Sequence, residues 1–184
     1  MEEVYTEQEL NNIVGGTIHT PENGEIIPTE SNVVDSINQQ TSRYSGAVWF
    51  DEVSKRRVAI AGLGGIGSWT ALLISRLSPG SMIIYDPDTV EAVNLAGQCL
   101  SKYHIGSKKN SSVADIIKSF SDYYNICRFD TYSASSPTYN IMICGFDNMN
   151  ARRVYFNNWL KYVNSISDKT QERNFLYIDG RIKC

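Results

Sequence analysis

Residues 57–67 read RVAIAGLGGIG, and this stretch decides the fold of the chain. Val58 to Gly62 is an apolar pentad that is too short for a helix and stops at a glycine, so it predicts a buried strand. Ser68 to Leu77 is apolar on nearly every face, as expected of a helix packed between a sheet and other structure. Met82 to Tyr85 predicts a second buried strand, and Asp86 stands at its carboxyl end.

A strand, a glycine-rich loop, a helix and a second strand form one unit, and such a unit is typical of nucleotide binding. Glycines let the backbone turn tightly and approach a phosphate, and the first N–H groups of the helix then point at that phosphate. An acid at the end of the second strand, here Asp86, is well placed for ribose hydroxyls. A plain tight turn is the competing interpretation, and the surrounding elements favour nucleotide binding. The candidate loop residues are Gly62, Gly64, Gly65 and Gly67.

Length and composition indicate one globular domain, and the net charge gives no reason to expect that it binds nucleic acid. The chain has 184 residues, of which 42% are hydrophobic and 20% charged, enough for a real core. Its net charge of −3 argues against nucleic acid and against an anionic membrane surface. The longest apolar run, around residues 71–77, is too short to span a bilayer, and the first residues show no signal pattern. Four scattered cysteines without a CxxC pair favour a reducing compartment, so we expect a cytoplasmic protein.

A polar loop follows Asp86 and is predicted to lie just outside the carboxyl ends of the strands, where open parallel sheets bind ligands. Asp88, Asn94 and Gln98 give this loop a dense set of carboxylate and amide groups. Two interpretations fit these residues equally well. They line a ligand pocket, or they are turn and capping residues, because Asp-Pro and Asn favour turns.

The next predicted helix has one apolar face and Ser107 as its N-cap. Lys109 falls in its first turn, where a cation opposes the helix dipole. It is either a solvated lysine or a residue retained for an anionic ligand such as a triphosphate. The apolar face consists of Val113, Ile116, Ile117 and Phe120.

Residues 126–129, 140–145 and 175–178 predict three further strands. Asp147 follows the second of these and precedes a helix, which it would cap in the simplest interpretation. Alternatively it shares the sheet edge with the glycine loop, where a carboxylate suits Mg²⁺ held against phosphates. The helix carries a stripe that we expect to be core rather than a ligand platform, formed by Ala151, Tyr155, Trp159 and Tyr162.

The beginning of the chain carries little readable chemistry. Residues 1–42 are polar and punctuated by glycine and proline, which predicts an irregular arm with short helical pieces or partial disorder. Residues 43–184 are predicted to form the nucleotide-binding domain. Arg43, taken alone, is an ordinary solvated charge. Trp49 and Phe50 are predicted to pack on the first strand, and the polar residues after them to lead into it.

Taken in order, these motifs resemble the ThiF/MoeB family, the adenylation domains related to ubiquitin-activating enzymes. The resemblance covers roughly residues 43–182 and supports a Rossmann-like, doubly wound α/β fold with a mainly parallel sheet and helices on both faces. A nicotinamide-dependent dehydrogenase would need only the glycines and one acid. The motifs that carry the resemblance are Arg43-Tyr-Ser, Gly62-x-Gly-Gly-x-Gly67, Asp86-x-Asp-x-Val, Asn94-Leu-x-x-Gln98, Gly106-x-x-Lys109 and Asp147-Asn-x-x-x-Arg152.

In that family MgATP transfers AMP to the C-terminal carboxylate of a small ubiquitin-like or sulfur-carrier protein, and pyrophosphate leaves. The resemblance implies that the glycine loop cradles ATP, that Asp86 takes the ribose hydroxyls, that Lys109 binds phosphate oxygens and that Asp147 holds Mg²⁺. It also implies a homodimer or a heterodimer with a related subunit, in which Arg43 is lent to the neighbouring site. The further pocket residues that it implies are Asp88, Asn94 and Gln98.

The sequence departs from the family pattern in three places. Gly97 stands where the family usually has an arginine, so a phosphate-binding cation is missing unless Arg43, Arg152 or a partner's arginine replaces it. The zinc-binding CxxC pairs of many relatives are absent, and the chain stops soon after the fifth predicted strand. Cys184 lies too early for the catalytic cysteine of relatives and is interpreted as incidental. A catalytically weak partner or regulatory subunit is therefore the alternative to an active adenylating enzyme.

Overall fold

The computed structural model describes residues 42–44 and 46–180. Contacts divide the chain into two compact units, Met1–Ser45 and Gly46–Cys184. In the first unit the described residues form a short 3-10 helix, Ser42–Tyr44.

Two predictions concern residues that the structure does not describe. The irregular arm lies outside the described part of the chain, apart from residue 42, and Cys184 lies outside it as well. The predicted domain boundary at residue 43 stays a prediction.

The second unit contains a five-stranded sheet with helices on both faces. Its described strands are β1 (Arg57–Ala61), β2 (Ser81–Tyr85), β3 (Ile126–Phe129), β4 (Ile141–Cys144) and β5 (Leu176–Asp179). Its described α-helices are α1 (Val48–Ser54), α2 (Gly65–Ser75), α3 (Lys109–Ser121) and α4 (Met149–Ser165). Short 3-10 helices span Ala92–Ala96, Lys102–His104 and Lys169–Asn174. Among the described helices, none combines the length and apolar character needed to cross a membrane.

All neighbouring strands of the sheet run parallel, in the order β3-β2-β1-β4-β5. The chain passes from β1 outward to β2 and β3, then returns to the other side of β1 with β4. This arrangement confirms the Rossmann-like doubly wound fold. The switch point between β1 and β4 opens a crevice at the carboxyl ends of the strands, where folds of this class bind ligands.

Two apolar layers attach the helices to the sheet, one on each face. Residues of β1 alternate between them, because successive side chains of a strand point to opposite faces. Ile60 packs in the layer that α2 and α3 cover, whereas Ala59 and Ala61 belong to the layer covered by α4. The fully buried Tyr155 of α4 packs in that second layer and donates its hydroxyl to Ala59 O at 3.1 Å.

Four local predictions need correction. The polar lead into β1 is largely the helix α1, in which Glu52 forms ion pairs with Lys55 and Arg56, three and four residues further on. The N-cap of α3 is Lys108 rather than Ser107, because the Ser107 carbonyl accepts the Val90 N–H at 2.8 Å.

The predicted core stripe of α4 is only partly core. Tyr155 is buried, but Tyr162 is exposed and its ring packs against Phe175 at a centroid distance of 5.2 Å. Trp49 of α1, expected to pack on β1, is half exposed and meets the Phe50 ring edge-on.

Candidate functional site

A cavity of about 820 Å³ opens at the carboxyl ends of β1, β2, β3 and β4. Its wall combines glycines, which expose backbone, with carboxylates, amides and cations. The crevice at the switch point therefore has the size and the polar lining of a small-molecule site. The predicted site residues that line it are Gly62, Gly64, Gly65, Asp86, Asp88, Gln98, Lys109 and Asp147.

Three glycines allow the ends of β1 and β4 to meet the start of α2 at backbone contact. Gly62 has a φ of +88°, a region that L side chains rarely adopt. A Cβ added to Gly67 would lie 1.8 Å from Gly62 O, and one added to Gly145 would lie 2.5 Å from the same oxygen. Gly67 therefore packs behind the loop rather than lining the cavity. Gly145 was not identified from the sequence, although a glycine directly after β4 was a usable signal.

Asp86 is a buried carboxylate that holds the glycine loop in place. The Leu63 N–H donates to its Oδ2 at 2.7 Å, and the Asp88 N–H donates to its Oδ1 at 2.9 Å. Each carboxylate oxygen retains capacity for another hydrogen bond. Asp86 thus fixes the loop and still presents acceptors to the cavity that it lines.

Asn110 ties the ends of β2 and β3 to α3 and was not identified from the sequence. Its buried Nδ2 lies 3.1 Å from both Asp86 O and Phe129 O, and 3.0 Å from Asp130 Oδ1. These partners lie about 20 residues away along the chain. No local pattern of the sequence could have indicated that contact.

Lys109 lies in the first turn of α3 and is held by Asp88 at two points. Its N–H donates to Asp88 O at 2.9 Å, and its Nζ lies 2.9 Å from Asp88 Oδ2. The Lys109 side chain is only 9% exposed, whereas that of Asp88 is 62% exposed. Lys109 is therefore not a solvated lysine; it is a buried cation on the cavity wall.

The two amides of the loop after β2 behave differently. Asn94 accepts the Glu91 N–H at 2.9 Å in a capping box of the 3-10 helix Ala92–Ala96, and it does not line the cavity. Gln98 does line it, and its Oε1 is buried without a hydrogen-bond partner among the described residues. An unpaired buried acceptor costs free energy unless a ligand or water donates to it. Gln98 thus fits a cavity that binds a hydrogen-bond donor.

Asp147 is exposed on the cavity wall and does not cap α4. Asn148 is the N-cap, and its Oδ1 accepts the N–H groups of Asn150 and Ala151 at 2.8 and 3.2 Å. The Asp147 carboxylate makes no hydrogen bond or ion pair with the rest of the described chain. It is therefore available to a cation or a ligand.

Arg152 also lines the cavity, but its guanidinium is already engaged. Nη1 forms an ion pair with Asp179 Oδ1, and Nη2 donates to Gly180 O at 2.9 Å. This side chain could therefore replace the arginine expected at position 97 only through its remaining N–H groups or by leaving these partners. Arg43 belongs to the first unit, in which it is exposed, and its predicted role stays a prediction.

Gly97 has the space that a larger residue would need. A Cβ added there would meet no atom within 4 Å. Its carbonyl accepts the Trp69 indole N–H at 3.1 Å, and the nearby Cys99 N–H donates to the buried Ser68 Oγ at 2.9 Å. These two bonds attach the loop containing Gly97 and Gln98 to α2.

The described cysteines of the fold offer no activated thiol at the cavity. Burial raises the pKa of the Cys144 thiol, and burial likewise raises that of Cys99. Both groups therefore keep their protons at neutral pH and are poor nucleophiles. What the cavity provides is positioning, positive charge and carboxylate ligands.

The described residues include no cluster of three or more His, Cys, Asp or Glu side chains suited to hold a metal by themselves. Mg²⁺ does not require such a cage, because it usually binds to one or two carboxylates and to the phosphates of a substrate. The cavity wall offers one exposed carboxylate of that kind, the side chain of Asp147.

Comparison with curated proteins identifies related sequences. The ubiquitin-like modifier-activating enzyme 5 of Culex quinquefasciatus is 30% identical over an alignment of 92 positions, which covers 45% of this chain and 23% of that protein. The matched region therefore spans less than a quarter of this relative.

Solved structures share the fold at lower identity. The E. coli tRNA N6-threonylcarbamoyladenosine dehydratase TcdA, in complex with ATP, matches 81% of this chain and 63% of its own, with a TM-score of 0.64 and 19% identity. E. coli MccB, in complex with MccA-N7isoASN, matches 72% of this chain and 42% of its own, with a TM-score of 0.57 and 22% identity. At these identities the likeness concerns the fold alone.

The family model described as "ThiF family" matches residues 38–163. This match covers more than half of the chain and includes the glycine loop, Asp86, Lys109 and Asp147. It confirms the resemblance seen in the sequence motifs. The chain belongs to the ThiF family.

Proposed function

We propose that this protein binds MgATP and adenylates the C-terminal carboxylate of a small ubiquitin-like or sulfur-carrier protein. One observation carries the proposal: the fold brings the glycine loop, Asp86, Lys109 and Asp147 to one cavity at the switch point of the sheet. Two similar proteins support it, since one is a ubiquitin-like modifier-activating enzyme and another was solved in complex with ATP. In this proposal residues 43–184 are the adenylation domain.

The phosphates of ATP would lie over the glycine loop. Gly64 and Gly65 line the cavity, and α2 begins at Gly65, so its first N–H groups are available to an anion. Asp86 would accept the ribose hydroxyls through the remaining lone pairs of its carboxylate. The orphaned Gln98 Oε1 would accept a hydrogen bond from the bound nucleotide.

Lys109 is placed to stabilise the charge that develops during the reaction. The carboxylate of the protein substrate attacks the α-phosphorus, and the bond to the leaving pyrophosphate breaks. Lys109 is prepositioned by its backbone bond to Asp88 and would exchange the Asp88 carboxylate for phosphate oxygens. Catalysis of this kind depends on positioning and charge and needs no protein nucleophile.

Asp147 would hold Mg²⁺, which supplies a positive charge against the phosphates when bound. Its carboxylate is exposed, lines the cavity and is left free by the Asn148 cap. Arg43 would complete the site of a neighbouring subunit in a homodimer or a heterodimer. Light scattering of the isolated chain tests the homodimer, and a monomeric mass would contradict that form of the assembly.

A second candidate is a partner or regulatory subunit with weak catalysis. The glycine at position 97 favours it, because Arg152, an alternative cation on the cavity wall, is bound to Asp179 and Gly180. A subunit of this kind would keep the fold and bind nucleotide poorly by itself.

A thermal melt with and without MgATP distinguishes the two candidates, with NADH as control. At about 100 times the dissociation constant, MgATP should add about 2.7 kcal/mol and raise Tm by about 5–10 °C. We expect that shift for an adenylating enzyme and expect Asp86→Ala to abolish it. The absence of a shift would favour the regulatory subunit, and a shift with NADH alone would contradict both.

A further inference from the structure

Asp130 follows β3 and lies beside Asp86 on the same edge of the sheet. The residues before them, Phe129 and Tyr85, are register partners, and the Asp86 N–H donates to Phe129 O at 3.1 Å. Both aspartates line the same cavity. Asp130 therefore stands one strand further from the switch point than Asp86.

The Asp130 carboxylate is fixed by two residues at the start of α3. Asn110 Nδ2 donates to its Oδ1 at 3.0 Å, and Lys108 Nζ lies 3.4 Å from its Oδ2. Asn110 is itself buried and anchored on two backbone carbonyls. A carboxylate has about four acceptor positions, so Asp130 retains further acceptors. Its side chain is 59% exposed, so a ligand can reach them.

The order of the strands sets the direction of a nucleotide in this cavity. The phosphates belong at the glycine loop after β1, and the ribose belongs at Asp86 after β2. Each step along the nucleotide thus moves one strand outward from the switch point. The next strand is β3, so the base falls beside Asp130.

We propose that Asp130 selects the nucleobase by accepting a hydrogen bond from the 6-amino group of adenine. The inference rests on the proposed function, because it requires a nucleotide in the cavity. A base with a carbonyl at that ring position would place an oxygen against the carboxylate and be rejected. A base with only hydrogen there would leave the carboxylate without its partner. We expect a difference of about 10-fold or more in affinity, as for other hydrogen bonds to charged groups.

The test compares the dissociation constants of three magnesium nucleotides for the full chain, measured by isothermal titration calorimetry. They are ATP, purine riboside triphosphate, which lacks the amino group, and GTP. We expect ATP to bind about 10-fold or more tightly than both competitors. In Asp130→Ala the affinity for ATP divided by the affinity for purine riboside triphosphate should fall to about one, mainly because ATP binds more weakly.

Asp130→Asn separates recognition from a structural role. The asparagine can keep one oxygen as the acceptor for Asn110 Nδ2 and presents an N–H donor in place of the second oxygen. The affinity for GTP should therefore rise relative to the affinity for ATP. A merely structural Asp130 predicts equal losses for all three nucleotides in both variants, which would overturn the inference. Asp115→Asn, an exposed substitution on α3, serves as the control and should leave the ratios unchanged.

The remaining outcomes separate the two proposals. Equal binding of ATP and purine riboside triphosphate by the wild type would overturn the role of Asp130 and leave the proposed function intact. A preference for GTP would overturn adenine recognition, because a carboxylate also accepts from the N–H groups of guanine. If the wild type bound none of the three, the proposed function would fall and the inference with it.

Discussion

Among single residues, Lys109 combines a positive charge, burial and a position on the cavity wall. We expect Lys109→Ala to weaken MgATP binding by about 10- to 100-fold, since a hydrogen bond to a charged group contributes about 1.5–3 kcal/mol. The fold should persist, because the Asp88 partner is 62% exposed and stays hydrated. Calorimetric titration measures the effect. Lys118→Ala removes a partly exposed lysine of the same helix that does not line the cavity, and this variant should bind like the wild type. Equal affinity in both variants would exclude Lys109 from the site.

A single substitution at Gly97 would introduce the arginine that the family resemblance leads us to expect at this position. Its φ of −137° is accessible to any residue, and a Cβ added at this position would have no atom within 4 Å. We expect Gly97→Arg to bind MgATP about 10-fold more tightly, because the new guanidinium can reach phosphate oxygens. Gly97→Ala is the matched control in the same titration. If both variants bind alike, the loop does not approach the phosphates.

The residues of the candidate site differ in how far the sequence could indicate them. Asp86 was predictable because its position follows from a short, local order of strand, loop and strand. Asn110 and Asp130 were not, because their contact joins residues about 20 positions apart. Asn94 was assigned to the pocket with Gln98, but the local 3-10 helix uses its side chain as a cap. Roles that depend on tertiary contacts or on competing local hydrogen bonds require the structure.

At the level of elements, the junction of β1, α2 and β4 depends on backbone packing that only glycine permits. A Cβ on Gly67 would lie 1.8 Å from Gly62 O, whereas one on Gly64 would meet nothing within 4 Å. We therefore expect Gly67→Ala to lower the free energy of unfolding by about 3 kcal/mol or more, or to prevent folding. Gly64→Ala should change it by about 1 kcal/mol or less. Urea denaturation of both variants provides the measurement, and similar midpoints would contradict the close packing.

The elements themselves were largely predictable, with exceptions that have physical causes. The five described strands are short apolar or mixed runs bounded by turn residues, so their positions followed from the sequence. The position of helix α1 did not follow from the sequence, because this helix has only seven residues and carries ion pairs rather than a periodic apolar face. The N-cap of α3 shifted from Ser107 to Lys108 because Thr89 pairs with Lys108 in an isolated bridge.

For the whole molecule, the buried tyrosines of the second apolar layer make the free energy of unfolding decrease as the pH rises into the alkaline range. Burial raises the pKa of Tyr85 and that of Tyr155. The folded protein therefore keeps these protons at a pH where the unfolded chain, with tyrosine pKa values near ~10, loses them. Their contribution is complete below about pH 10 and is lost as the pH rises further, by up to about 1.4 kcal/mol per pH unit for each tyrosine.

The substitution Tyr155→Phe tests this dependence, because it removes a fully buried hydroxyl whose partner is Ala59 O. At pH 8 we expect the variant to be less stable by about 1 kcal/mol, the typical value of a lost neutral hydrogen bond. Above pH 10 its free energy of unfolding should fall less steeply than that of the wild type, so the two curves converge. Tyr103→Phe, at a position that is 83% exposed, should run parallel to the wild type throughout. Urea denaturation between pH 8 and 11 gives the curves, and a parallel course for Tyr155→Phe would show that its hydroxyl ionises as readily in the folded protein as in the unfolded chain.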